Sequence, residues 1–211
     1  MNKNKLLVLS TAVFFIGAFA LATVLTPEKK IQVQKRVDLS SLPMMGERQA
    51  PIKMVIFEDL RCPECLKFHL EVLPKIKEKY IDTGKVKCSM VVLSFLDNSA
   101  PLALASMALF EQSSSLFFNY VDRLYHYLQS NSDPVPIDQI IADLPGVNMQ
   151  SYKTAMEDGH LTQLLDKNEQ VGKKYMQEDV ATPTIFINGV KSKSFSLGGV
   201  SSVIDSHFKK S

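Results

Sequence analysis

The chain has 211 residues, 45% of them hydrophobic and 22% charged, with 9 glycines, 10 prolines and a formal net charge of +2. That suits one compact core with an insertion and argues against a disordered chain or a repeat array. The lysines interleave with acids instead of gathering in one block, which argues against a nucleic-acid partner.

Lys3 and Lys5 precede an uncharged stretch from Leu6 to Leu25 that ends at Pro27 and Glu28, the pattern of an export segment. Ala18-Phe19-Ala20 and Ala20-Leu21-Ala22 offer small residues where signal peptidase cuts, while the apolar stretch is long enough to span a bilayer. Residues 1–26 are therefore expected to be a signal peptide or an N-terminal membrane anchor, with everything from Pro27 on the far side of the membrane. Residues 27–49 are polar and without period, and read as a tether and lead-in. The folded domain is expected over residues 50–211.

Ile52 to Phe57 is apolar and rich in β-branched residues, as in a strand buried on both faces. From Pro63 to Tyr80, Leu66, Leu70, Leu73, Ile76 and Tyr80 recur at helical spacing, with Pro74 as a kink and Thr83-Gly84 as the stop. Lys85 to Phe95 predicts a second strand, hence a parallel strand–helix–strand unit. Residues from about 98 to 176 read as an all-helical insertion, broken at Ser113–Ser115, Ser130–Pro136 and Pro145-Gly146. Thr184–Ile187, Asn188-Gly189 and Val190–Phe195 predict a hairpin, and a last helix runs to Phe208.

The chemistry concentrates at Cys62-Pro63-Glu64-Cys65. A thiol at a helix start faces unpaired backbone N–H groups and the positive end of the dipole, so Cys62 is expected to ionise early and attack, with Cys65 one turn deeper resolving the mixed disulfide. Pro63 fits the first helical turn, where a missing N–H costs nothing. Glu64 sets a carboxylate near the Cys62 thiolate and should raise its pKa, while Arg61 pulls the other way. Glu58 and Asp59 come just before the motif; either could exchange a proton with Cys65, or cap the loop. His69 lies too far along the helix to touch the Cys62 sulfur and reads as a structural or surface residue, and Cys88, among apolar strand residues, as an inert core thiol or else a partner in a regulatory or intermolecular disulfide. Phe117, Phe118, Tyr120, Tyr125 and Tyr127 read as the core of the insertion or part of a peptide-binding surface.

FEDLRCPECLKFH (residues 57–69) and VATPTIFINGV (residues 180–190) together resemble the DsbA-like branch of the thioredoxin superfamily, from about Ile52 to the C-terminus. The resemblance implies an α/β thioredoxin fold, a central mixed β-sheet flanked by helices with an all-helical insertion. It also implies a cis Pro183, with Thr182 laid against the cysteines to bind an extended substrate. The enzyme so implied is an exported protein thiol:disulfide oxidoreductase that needs no cofactor beyond the redox-active Cys62–Cys65 disulfide and has no metal site. Its clients would be extracytoplasmic proteins containing cysteines, in the bacterial periplasm or at the outer face of the cytoplasmic membrane, and a membrane redox partner would recycle the cysteines. Strongly oxidising relatives carry His where this chain has Glu64, and Thr182 looks more like the residue of disulfide isomerases, so oxidase, reductase and isomerase remain open. A metal-binding module using Cys62, Cys65 and His69 or Cys88, and a non-catalytic chaperone on the same scaffold, are the competing readings.

Overall fold

The computed structural model describes residues 41–131, 133–177 and 180–209, all within one compact unit spanning residues 31–211. The expected export segment and most of the lead-in lie outside the described residues. Among the described residues no helix is long and apolar enough to cross a membrane.

Among the described residues five strands form one mixed sheet: β1 (Met44–Met45), β2 (Ile52–Asp59), β3 (Val86–Leu93), β4 (Thr184–Ile187) and β5 (Val190–Lys191), in the order β1-β3-β2-β4-β5. β2 and β3 run parallel, with Ile52 opposite Val86 and Asp59 opposite Leu93, while β2–β4, β4–β5 and β1–β3 are antiparallel. β2 and β3 bury both faces, which is why they read as unbroken apolar runs. β1 was not foreseen: two residues carry no periodicity, so the sheet starts inside the stretch read as lead-in.

Between β2 and β3 runs a helix over residues 63–81, here α1, in which α turns at Pro63–Lys67 and Leu73–Ile76 alternate with π turns at Phe68–Val72 and Lys77–Ile81. Pro74 has no N–H for the carbonyl four residues back and its ring crowds that carbonyl, so the turn before it widens; the predicted kink takes this form. Ile52, Met54 and Ile56 bury one face of β2 against Phe68, Leu73, Ile76 and Tyr80 of α1 and against α7 (Leu197–Phe208). Tyr80 donates from its hydroxyl to Asp205 at 2.8 Å, tying those helices together.

The insertion contains α2 (Ala100–Gln112), α3 (Ser114–Ser130), α4 (Ile137–Ala142), α5 (Met149–Asp158) and α6 (His160–Met176). The anticipated breaks fall where the helices end, and Ser113 and Asn148 cap the helices after them through bonds of 3.1 and 3.0 Å. The break between α5 and α6 was not anticipated; it is made by Gly159 alone, at φ 77°. α6 returns to the sheet, where Tyr175 and Met176 pack on Phe57, Val91, Leu93 and Phe186. The hairpin turns on Asn188 and Gly189, both at positive φ, 46° and 83°, as a two-residue turn requires. Its second strand stops at Lys191, shorter than the expected Val190–Phe195.

Candidate active site

β2 ends in a turn that delivers Cys62 to the start of α1. Asp59 organises this turn: one carboxylate oxygen accepts the Arg61 N–H at 2.9 Å, and the other accepts Leu96 N–H at 3.0 Å and the Ser99 hydroxyl at 3.1 Å. Of the two roles open to it from sequence, Asp59 occupies the loop-capping position. Cys62 is the residue before the first helical turn, with extended φ and ψ of −72° and 122°, and Pro63 follows it as expected.

The Cys62 thiol donates to the carbonyl oxygen of Thr182, 120 residues away in sequence, at 3.2 Å, and the Thr182–Pro183 peptide is cis. Cys62 is 8% exposed and Cys65 behind it is wholly buried; both are free thiols. Their acidities part sharply. The Cys65 thiol beside it is the largest influence pulling Cys62 down to about 5; burial opposes this, and the Thr182 hydroxyl and the backbone N–H groups of Cys65 and Glu64 add to it. Burial pushes the Cys65 thiol far up, helped by its bond to Cys62 and by the charge of Glu58. The Thr182 hydroxyl oxygen is buried without a partner in this dithiol state and is placed to turn toward the sulfur when Cys62 ionises. Alkylation of the native reduced protein is therefore expected to modify Cys62 alone, with a rate that rises through a midpoint near pH 5, while Cys65 reacts only after denaturation.

Glu58, the last acid on the α1 side of β2, is fully buried. Burial raises its carboxyl to about 7, against the opposing pull of His69 and of a hydrogen bond from the Tyr125 hydroxyl, 3.2 Å from Oε2. Oε1 has no partner. A carboxyl poised near neutrality beside a thiol that strongly prefers its proton is suited to exchanging that proton. Tyr125, which the sequence offers only as insertion core or peptide-binding surface, proves to be a partner of the buried acid: its ring fits an apolar helix face and only its tip reaches Glu58.

Cys62, Cys65, Thr182, Pro183 and Glu58 thus converge, and Pro63 sits in the first turn of the helix they share. Glu64 is exposed; it contributes a backbone N–H to the Cys62 thiolate, and its carboxylate is not among the groups that set the Cys62 pKa. Solvent screening of an exposed carboxylate accounts for this difference from the expected increase. Nor is Arg61 among them: its guanidinium bonds to Asp133 and to the Asn98 carbonyl. His69 is buried beside Tyr125, with ring centroids 4.9 Å apart. Cys88, in β3 opposite Met45 of β1, lies in the core between the sheet and α1, and burial pushes its thiol well up. Among the described residues no group of three or more His, Cys, Asp or Glu side chains is placed to hold a metal ion.

A family model described as Thioredoxin matches residues 40–206. Probable disulfide bond formation protein D of Bacillus cereus is 26% identical over 200 residues, 90% of this chain and 91% of that protein. Among solved structures, alpha-DsbA1 of Wolbachia pipientis has a TM-score of 0.72 at 25% identity, over 85% of this chain and 96% of that one. Oxidised BdbD of Bacillus subtilis shares the fold with a TM-score of 0.73 at 24% identity, over 81% of this chain and 95% of its own. With a Cys-x-x-Cys helix start set against a cis-proline loop, and relatives named for disulfide formation, the chain belongs to the thioredoxin family and is a DsbA-like protein thiol:disulfide oxidoreductase.

Proposed function

We propose that this oxidoreductase forms disulfides in proteins outside the cytoplasm, with Cys62 as the residue that bonds to the client and Cys65 as the resolving thiol. The observation that carries the direction is the placement of Cys62 just before the first turn of the helix, its sulfur 3.2 Å from the Thr182 carbonyl oxygen, where the Cys65 thiol and the backbone N–H groups of Cys65 and Glu64 stabilise its thiolate and draw the thiol down to about 5. A stabilised thiolate favours the reduced enzyme, and an enzyme that prefers to be reduced hands its disulfide on. The client thiolate attacks Cys62 in the Cys62–Cys65 disulfide and releases Cys65, which takes its proton from Glu58. A second client thiolate then attacks the mixed disulfide, the client leaves oxidised, and Cys62 departs as a thiolate. Thr182 and Pro183 present the backbone edge on which an extended client segment lies.

The apolar stretch behind Lys3 and Lys5 supports export, with residues 1–26 as signal or anchor, residues 27–49 as the tether and residues 50–211 as the redox domain with its insertion over about 98–176. Return of the enzyme to its disulfide form falls to a redox partner in the membrane. The test is the equilibrium potential of the Cys62–Cys65 pair against glutathione, combined with oxidation of a reduced two-cysteine peptide. A potential well above that of thioredoxin, about −270 mV, and stoichiometric peptide oxidation are expected. A potential at or below that value would reassign the protein as a reductase.

A further inference from the structure

The mechanism above leaves a proton stranded. Glu58 and Cys65 are both fully buried, and Cys62, itself only 8% exposed, carries the client on its sulfur while the mixed disulfide exists. Glu58 must nevertheless regain a proton in each catalytic cycle and lose one when the disulfide is restored.

The polar contacts of Glu58 lead elsewhere, into the seam between α1 and α3. Tyr125 of α3 donates to Glu58 Oε2 at 3.2 Å and lies tilted against the His69 ring, centroids 4.9 Å apart. Burial holds the Tyr125 hydroxyl well above its ordinary pKa, so it keeps its proton and acts as a fixed donor, not as a carrier. His69 sits in the π turn of α1 with Nε2 3.6 Å from Asp122 Oδ1, while its other nitrogen, Nδ1, is buried without a partner. Glu58 Oε1 is likewise buried without a partner, and His69 is the strongest favourable charge influence on Glu58. Asp122 lies on the α3 surface with a side chain 57% exposed, 3.8 Å from His126. The titratable and charged groups around this seam are Glu58 of β2, Cys62 just before α1, Cys65 of α1, Cys88 of β3, and Asp122, Arg123, Tyr125 and His126 of α3.

We propose that His69 is the proton carrier between Glu58 and solvent, with Asp122 as its surface end and Tyr125 as the residue that positions Glu58. An imidazole can take a proton on one nitrogen and release another from the second, and here one nitrogen faces an exposed carboxylate while the other lies inside. After Glu58 gives its proton to the Cys65 thiolate, His69 passes one from Nδ1 to the carboxylate, directly or over one water, and is reprotonated at Nε2 from the Asp122 side. The path runs backward when Cys65 surrenders its proton. No electrons move along it. The insertion thereby supplies two of the groups that serve the catalytic acid, beyond any part in holding clients.

This inference rests on proton exchange between Cys65 and Glu58. Its test is the rate of Cys65-dependent mixed-disulfide resolution, followed by rapid mixing in dilute buffer. His69→Gln and the surface variant Asp122→Asn are compared with the parent, with folding checked by circular dichroism. His69→Gln is expected to slow the step by about a hundredfold, the low end of what one positioned proton-transfer group contributes, and added imidazole to restore much of the loss. Asp122→Asn should give a smaller loss with the same rescue. An unchanged rate in His69→Gln, or a loss that no concentration of imidazole restores, would overturn the carrier role. Glu58→Gln separates the two readings: if it is slow while His69→Gln is not, only the path fails; if it too is as fast as the parent, the Glu58 step itself is wrong.

Discussion

Cys62→Ala is expected to lose disulfide exchange by at least about a thousandfold, to the uncatalysed level, because it removes the atom that bonds to the client. Cys65→Ala should retain the first step in the reducing direction and accumulate stable mixed disulfides through Cys62, visible on non-reducing gels and by mass spectrometry. The reason for the low Cys62 pKa is less obvious than it looks. Drawing the thiol from 9.0 to about 5 raises the thiolate fraction at neutral pH by ~100-fold. The same change lowers intrinsic nucleophilicity by ~100-fold, at a Brønsted slope of about 0.5. The two nearly cancel for attack. What survives is the leaving-group advantage: Cys62 departs easily when the client's second thiolate displaces it. A Cys62→Ala protein that still exchanged disulfides, or a Cys65→Ala protein that trapped no client, would remove these assignments.

Legibility in the sequence followed the range of the interaction. Cys62 at a helix start is a local feature, and the apolar runs of β2 and β3 and the helical period of α1 are local patterns. Thr182-Pro183 was legible through family resemblance alone, since no local rule brings a residue 120 positions away to within 3.2 Å of the thiol. Tyr125 was legible as insertion core or peptide-binding surface but not as a partner of Glu58, and Asp122 was not legible at all: one wears an apolar ring on an apolar helix face, the other is an ordinary surface acid until α3 is laid against α1. His69 reads as structural or surface when only its distance to Cys62 is considered, whereas its neighbours are Tyr125 and Asp122 and its charge acts on Glu58. β5 was overextended for a different reason. Ser192, Ser194 and Ser196 bond to one another and to local backbone at 2.7 to 3.2 Å, which offers that backbone an alternative to the ladder. The middle residue Glu64 looked like a charge and acts here as a peptide N–H.

Glu58→Gln is expected to make the protein more stable at alkaline pH and slower as an enzyme. The carboxyl is held at about 7 in the fold against 4.5 for an unburied one. Between those values the folded state binds the proton that the unfolded chain has lost. Stability therefore falls as pH rises from 4.5 through 7, by up to about 3 kcal/mol. Glutamine carries no charge to desolvate, so the variant should lack this slope and exceed the parent above pH 7, with that figure as the upper limit. Cys62 obscures the effect in the reduced parent, because a thiol depressed to about 5 contributes stability that is present at high pH and lost as pH falls through 5, the opposite slope in an overlapping window. The comparison belongs in a Cys62→Ala background, by urea unfolding at pH 5 and pH 8. With Cys62 present, the same substitution should slow the Cys65-dependent step by about a hundredfold or more, the contribution of a positioned acid–base group. A variant with the parent's pH slope would put the raised charge on some other group. One that gained stability yet kept full speed would leave the buried acid as a cost without a catalytic return. The expected pairing, stability gained where rate is lost, is what a carboxyl buried for proton exchange requires.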